Sequence, residues 1–174
     1  MSENSCPALS VTDLFAQRDA QRLREKEAEE EQLKRRDQEE LASFKRRLDE
    51  FQVTDAQVQA VLDRIKRAFE RGETELLLTS FPSSFCSDSG RSIANAGAPP
   101  ICEPSEEEKA KQASEPEWLA TLPAGARQVH EYWKTNLKPG GFEFNARIIN
   151  YPGGMPGDVG LFFSWPKSAL EAKP

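Results

Sequence analysis

The last regular stretch of the sequence, residues 142–165, alternates apolar and polar side chains on both sides of a glycine-rich loop. Before the loop, the apolar positions are Phe142, Phe144, Ala146 and Ile148. After the loop, they are Val159, Leu161, Phe163 and Trp165. A period of two is typical of β-strands that bury one face, so the pattern predicts a β-hairpin inside a packed domain. Such a hairpin needs further elements to cover its apolar face.

The loop of this hairpin, Pro-Gly-Gly-Met-Pro-Gly at residues 152–157, has the glycine content of a phosphate-binding loop. Phosphate-binding loops lead into a helix N-terminus or carry a Lys-Ser/Thr pair, whereas a strand follows here. A turn explains the composition better, because glycine adopts positive φ angles and proline rigidifies a loop. The sequence therefore predicts no nucleotide and no other cofactor.

The other face of the hairpin carries more apolar side chains than a solvated surface needs. If the loop sets Tyr151 opposite Asp158, then Arg147 faces Phe162 and can stack on its ring. Ile149 and Tyr151 share that side with Phe162. We therefore predict that this face is covered by the end of the N-terminal helix, by an insertion or by a partner.

The 174 residues suffice for one globular domain with an appendage, and the charge distribution separates the two. Residues 12–50 are mostly charged, whereas residues 53–97 and 118–166 hold nearly all the aromatic side chains. The net charge of −6 gives the chain as a whole no bulk attraction to nucleic acid or to an anionic membrane.

Residues 11–52 are predicted to form a long charged helix after a disordered tail at residues 1–10, because residues 11–51 lack glycine and proline. Leu41, Phe44 and Leu48 follow the a/d spacing of a coiled coil, but the heptad positions before them are charged. A coiled coil needs an apolar seam over about three to four heptads. The helix is therefore at most partly a coiled coil, and only its last turns have a face to bury.

Residues 53–166 are predicted to form a compact α+β domain, in which amphipathic helices pack a small three-stranded antiparallel sheet. Its first helix begins with a capping box, Thr54 and Gln57, and ends at Gly72. A strand at 75–81, a short helix at 87–96 and a helix at 123–137 precede the hairpin. Residues 98–117 are predicted to be a mobile acidic insertion, and residues 167–174 a C-terminal tail.

The turn at residues 85–91 is the strongest candidate for chemistry. Cys86 precedes a short helix and lies near Arg91, a setting that lowers the pKa of a thiol, and His130 is the single histidine available as a base. Asp88 is a weaker catalytic candidate, and Arg91 a candidate for binding an anionic ligand. The competing interpretation is structural: a buried cysteine, a half-exposed histidine, a helix-capping aspartate and an arginine in an ion pair.

The three cysteines, Cys6, Cys86 and Cys102, are odd in number and irregular in spacing, which argues against a disulfide framework. With His130 they match no zinc-ligand spacing, so no metal is predicted. The first twenty residues lack a signal-peptide pattern, and no stretch approaches the ~18 apolar residues of a membrane span. A cytoplasmic location without a membrane partner is therefore expected.

These observations favour a small cytoplasmic protein-interaction or oligomerisation module, whose partner is another protein or a second copy. Its predicted partner-binding residues are Arg147, Ile149, Tyr151, Phe162, Leu41, Phe44 and Leu48. One alternative is an enzyme of unknown reaction that uses the turn at Cys86 and Arg91 together with His130. A second alternative is a nucleic-acid-associated regulator that uses the basic triplets at residues 34–36 and 45–47, although acidic neighbours nearly cancel their charge.

Overall fold

The computed structural model describes residues 10–97 and 115–168. Most of the predicted insertion at 98–117 and most of both predicted tails lie outside these ranges. The chain divides into two compact units, one ending at Phe44 and the other beginning at Lys45.

The first helix, α1 (Val11–Asp49), is 39 residues long, and none of its residues is buried. The prediction of a long charged helix is confirmed. The side chains of Glu31 and Arg35 form an ion pair of 2.6 Å across one turn. Exposed pairs of this kind stabilise a helix by only about 0.3–0.5 kcal/mol each, so helix-forming composition contributes much of the stability.

The second helix, α2 (Asp55–Glu70), begins at the predicted capping box. The Gln57 amide donates to the Thr54 hydroxyl, and the Gln57 side chain accepts from the Thr54 amide. Its buried residues are Ile65 and Ala68. The chain leaves the helix through Gly72, whose φ of +77° is favourable only for glycine.

Two further helices lie on either side of residues 98–114, which are not described. They are α3 (Arg91–Ala96) and α4 (Ala124–Tyr132), and α4 continues into a π-helical turn at Trp133–Leu137. The wider turn frees backbone carbonyls, and side chains compensate: the Thr135 hydroxyl donates to the Glu131 carbonyl, and the Asn136 amide donates to the Tyr132 carbonyl.

A short 3-10 helix at Glu117–Thr121 was not predicted from the sequence. It buries Trp118 and Leu119, which follow directly after the polar stretch assigned to the insertion. Its five residues are too few to show a helical period, and this is why the pattern gave no signal there.

The sheet consists of β1 (Glu75–Pro82), β2 (Glu143–Ile148) and β3 (Asp158–Ser164). Both pairings are antiparallel and the strand order is β1-β3-β2, so β3 is the central strand. The predicted α+β fold with a three-stranded antiparallel sheet is confirmed. Its buried core includes Phe81, Phe144, Val159, Leu161, Phe163 and Trp165.

The predicted register of the hairpin is wrong by two residues. Arg147 lies opposite Gly160, not opposite Phe162, and the Ile149 amide donates to the Asp158 carbonyl at 2.7 Å. Asn150 is responsible, because its side-chain oxygen accepts from the Asp158 amide at 2.7 Å and its nitrogen donates to the Asp158 carboxylate. A shift of two residues leaves every side chain on its predicted face.

Within the second unit, the last turn of α1 packs closely on the start of α4. A Cβ atom at Gly125 would overlap the Leu48 carbonyl oxygen and would lie 2.9 Å from the Phe51 Cβ atom. Leu48 and Phe51 are both half-buried. Glycine permits this backbone approach, so the end of α1 lies close against the start of α4.

Candidate functional site

The face of the sheet opposite the aromatic core carries Leu77, Arg147, Ile149 and Phe162, and together with the exposed Tyr151 that follows in the loop we call these residues the outer patch. The strand registers place Leu77 and Phe162 on this face as direct neighbours, with Arg147 on the same side of β2. Ile149 and Tyr151 follow β2 at the start of the loop. Four of the five were predicted from the sequence, and Leu77 was missed.

Arg147 spans the whole width of the sheet. Its guanidinium lies 4.0 Å from the centre of the Phe162 ring on β3, and its Nη2 donates to the Glu75 carboxylate on β1 at 2.7 Å. The predicted stacking is present as a diagonal contact, since the two residues are not directly opposite. The carboxylate neutralises the arginine, so the centre of the outer patch carries little net charge.

Gly160 forms the floor of the outer patch. A Cβ atom there would lie 2.7 Å from the Phe162 ring and 2.8 Å from Ile149 Cδ1, so any other residue would displace these two side chains. The missing side chain lets Ile149 and Phe162 lie flat on the central strand. Close packing of this kind holds the two side chains in place without covering them.

The apolar members of the outer patch remain accessible to solvent. The exposed fraction is 39% for Leu77, 49% for Ile149 and 54% for Tyr151. Apolar side chains exposed singly are ordinary, whereas here Leu77 and Ile149 both lie beside Phe162. Leu77 was missed because three successive leucines hide the alternation of β1, which is interrupted by a bulge at Leu78.

The predicted partner-binding residues of α1 fall in different settings. In the first unit, Leu41 is 47% exposed and Phe44 is half-buried. In the second unit, Leu48 is half-buried beside Gly125. The Leu48 backbone thus lies against Gly125, whereas the Leu41 side chain remains accessible.

Cys86 does not have the electrostatic environment of a reactive thiol. The residue is buried, and burial raises the pKa of its thiol to about 11, with a further increase from the Asp88 carboxylate that outweighs a hydrogen bond with Thr121. The predicted lowering of this pKa is therefore contradicted. At neutral pH such a cysteine is almost entirely in the unreactive thiol form.

Asp88 shapes the turn that follows Cys86. Its carboxylate accepts from the Gly90 amide at 3.0 Å and from the Ser92 amide at 2.7 Å, which caps the start of α3. Burial alone would raise the pKa of Asp88, but these hydrogen bonds lower it overall. Arg91 is the first residue of α3 and is exposed. The geometry gives Asp88 a structural role.

His130 lies in the aromatic core instead of a cleft. It is only 4% exposed, and its ring centre lies 5.2 Å from that of Trp133 and 5.4 Å from that of Phe144. Its Nδ1 atom has no hydrogen-bond partner, with the nearest Glu131 oxygen at 3.7 Å, and burial lowers the pKa of the imidazole. The expectation of a half-exposed histidine is wrong.

No hydrogen bond connects Cys86 with His130 in the described ranges. Cys86 belongs to the turn that contacts Thr121, whereas His130 belongs to the cluster around Phe144. The other two cysteines of the sequence, Cys6 and Cys102, lie outside the described residues. Across the described residues, no group of three or more His, Cys, Asp or Glu side chains could hold a metal ion.

The basic triplets of α1 are exposed and lie among acidic residues. In the first unit, Arg35 of the triplet at residues 34–36 pairs with Glu31. In the second unit, the triplet at residues 45–47 is followed by Asp49 and Glu50. Neither triplet forms the uncompensated basic stripe that binds phosphate backbones. None of the helices in the described ranges is long and apolar enough to span a membrane.

Comparisons with protein-family models, with curated proteins and with solved structures find no match for this chain.

Proposed function

We propose that the protein is a cytoplasmic protein-interaction module that binds another protein through the outer patch. The observation that carries this proposal is the exposed pair Leu77 and Ile149, which lie beside Phe162, the ring on which Arg147 stacks. Arginine, tyrosine and other aromatic residues are enriched at the energetic centres of protein interfaces.

The chemistry of the outer patch indicates which kind of partner surface it accepts. The Glu75 carboxylate occupies one side of the Arg147 guanidinium, so an anionic partner would meet a charge that is already balanced. The exposed parts of Leu77, Ile149 and Tyr151 instead favour aliphatic and aromatic side chains. We therefore propose an apolar, largely uncharged partner segment.

The outer patch also has little side-chain freedom left to lose on binding. The ring of Phe162 lies between Gly160 and Arg147, and Glu75 fixes the far end of the arginine. Immobilising a free, flexible side chain at an interface costs about 0.5–1.5 kcal/mol, and here part of that cost is met on folding. This preorganisation supports a binding role for the patch.

The long charged helix would extend the reach of such a module. In the first unit, the exposed side chain of Leu41 gives α1 an apolar position for a further contact, including a short coiled coil. The free, buried Cys86 is compatible with the reducing cytoplasm proposed for the protein.

Random peptides displayed on phage and selected on the immobilised full chain would test this proposal. Peptides rich in aromatic and aliphatic side chains are expected, and they should shift the backbone NMR signals of Leu77, Arg147, Ile149 and Phe162. The variants Ile149→Ser and Tyr151→Ser should each weaken binding of a synthetic selected peptide by about tenfold or more.

Met155→Ser is the matched control, because Met155 is 65% exposed in the same hairpin loop and is not part of the outer patch. It should leave peptide binding unchanged. Equal binding by the Ile149→Ser and Tyr151→Ser variants, or NMR shifts confined to other surfaces, would contradict the proposal.

A further inference from the structure

The outward edge of β2 has backbone groups that its own sheet does not use. The Ile149 amide donates to the Asp158 carbonyl, and in an antiparallel pair every second residue bonds to the neighbouring strand. The backbone groups that point toward β3 are therefore those of Glu143, Asn145 and Arg147. The N–H and C=O groups of residues 144, 146 and 148 therefore point away from the sheet. In the described part of the chain, no backbone hydrogen bond outside the ladder involves these three residues.

The opposite edge of the sheet, along β1, is protected. The Arg64 side chain donates to the Leu77 carbonyl at 2.7 Å and to the Leu78 carbonyl at 3.5 Å. The bulge at Leu78 interrupts the strand, and Pro82 has no amide hydrogen to offer. Charged side chains, bulges and prolines are the devices by which proteins keep sheet edges from pairing.

We propose that the open β2 edges of two copies of this chain pair antiparallel around a two-fold axis at Asn145, so that the two sheets become one six-stranded sheet. Phe144 then lies opposite the partner's Ala146 in a hydrogen-bonded pair, and the same contact recurs across the axis. A large side chain meets a small one in both, which suits close packing on the core side.

Charge complementarity selects this register. On the outer side, β2 reads Glu143, Asn145, Arg147, so an antiparallel copy centred on Asn145 sets Glu143 opposite the partner's Arg147, twice. In the monomer the Arg147 side chain extends over β3 to Glu75, so in the dimer it turns from Glu75 to the partner's Glu143 and exchanges one carboxylate for another. An axis at Ala146 would place Arg147 opposite an asparagine, and both ion pairs would be lost.

The pairing stops at two copies. It is isologous and uses the same strand of both chains, and the edges that remain are the two β1 strands with their Arg64 caps. It also places the two outer patches on one continuous face. The inference shares Arg147 with the outer patch, but it rests on the backbone edge of β2 and does not require the proposed apolar partner.

A charge-swap experiment on the full chain tests this dimer. Glu143→Arg leaves two arginines facing each other at both ends of the interface, and Arg147→Glu leaves two glutamates. Each variant alone should self-associate at least about tenfold more weakly than the wild type, for which light scattering should approach twice the chain mass of 19.5 kDa. An equimolar mixture of the two variants should recover the dimer, because each arginine then faces a glutamate.

Glu70→Arg is the matched control for net charge, since Glu70 is an exposed residue of α2 and should not affect association. Because Arg147→Glu also removes the ion pair with Glu75, its fold is checked by circular dichroism. Amide exchange of Phe144, Ala146 and Ile148 supplies a readout that needs only the wild type and Glu143→Arg. Protection should rise with protein concentration in the wild type and not in the variant.

Three results would overturn the inference. One is a wild-type chain that stays monomeric at all accessible concentrations with unprotected β2 amides. Another is a monomer in which these amides are protected at every concentration, because a segment of the same chain then covers the edge. The third is a dimer that neither variant weakens, because its interface then lies elsewhere.

Discussion

The two edges of this small sheet differ sharply, although both strands pair with the same central strand. Along β1, Arg64 covers two backbone carbonyls, and a bulge and a proline interrupt the edge. Along β2, six residues run without a bulge or a proline. Burying an apolar face is thus a separate requirement from protecting an edge. The described residues bury the apolar face of both strands but protect only the β1 edge.

The difference between the edges arises from how the helices are distributed. α2 packs against β1 and brings Arg64 to its carbonyls, whereas α3 packs near β2 and offers no equivalent side chain in the described residues. Arg64 lies on the exposed side of an amphipathic helix, where an arginine would ordinarily be a solvated residue. Its position makes it an edge cap.

The largest expected effect tests whether both strands contribute equally to the core. Phe81→Ala in β1 and Phe144→Ala in β2 each remove a buried ring and should lower the free energy of unfolding by about 3–5 kcal/mol. Phe81 is 1% exposed and Phe144 is 8% exposed, so we expect the loss at Phe144 to be the smaller one. Urea unfolding measures both losses of stability. A larger loss for Phe144→Ala than for Phe81→Ala would contradict the expectation that β1 contributes more to the core.

Removing the Arg64 cap should leave the β1 edge protected only by its bulge and by Pro82. Arg64→Met keeps the apolar stem but leaves the Leu77 and Leu78 carbonyls without their donor, and should lower the free energy of unfolding by about 0.5–1.5 kcal/mol. The variant should also form species larger than a dimer, visible by analytical ultracentrifugation. Lys66→Met on the same helix is the control, and equal association of both variants would show that Arg64 does not guard the edge.

Adding protection to the β2 edge should have the opposite result. Asn145→Lys places two lysines face to face at the proposed two-fold axis, and should weaken self-association by about tenfold. The loss of the hydrogen bond from Asn145 to the Ser164 hydroxyl should cost about 0.5–1 kcal/mol of stability. Asn145→Ser, which adds no charge, should leave association nearly unchanged. Equal association of the two variants would exclude Asn145 from the interface.

The smallest expected effect is a pH dependence of stability. It arises at His130, which contacts Phe144 of β2. Burial lowers the pKa of His130, so the unfolded chain binds more protons as the pH falls through the ordinary value of about 6.5. Stability should therefore fall between pH 7.5 and 5.5, partly offset by Glu131 and Glu115, while Lys134 adds to the loss. The carboxylates with lowered pKa values, such as Asp88, lose their contribution only at lower pH.

The His130→Phe variant should show no such fall in this pH range, as measured by thermal unfolding. Because the imidazole packs on Phe144 of β2, amide exchange should increase at β2 before it increases at β1. The same pH dependence in the variant and in the wild type would assign the effect to other groups.

Much of the fold was predictable because its elements have strong local signals. The capping box at Thr54 and the alternation of β3 each follow from short stretches of sequence. The register of the hairpin was not predictable, because Asn150 fixes it through a side-chain contact with Asp158 inside the loop. The bulge at Leu78 was also hidden, since consecutive leucines satisfy both faces of a strand.

The outer patch could be predicted in part, for the same reason. Side chains alternate between the two faces of a strand, so a register shift of two residues keeps Arg147 and Phe162 on the same face. Glu75 was missed as the partner of Arg147, because their contact crosses three strands and depends on the strand order β1-β3-β2. Sequence alone also suggested a lowered pKa at Cys86, whereas burial, which only the packed structure reveals, raises it.

The strand order has a consequence for how the protein is made. β1 and β2 do not pair with each other, and the strand that joins them, β3, is the last of the three along the chain. During synthesis β1 must therefore wait for about 75 further residues before its partner exists, and no part of the sheet can assemble earlier. Until Asp158–Ser164 emerges, neither outer strand has a strand to pair with in its own sheet, and in that interval the nascent chain is most exposed to misassembly.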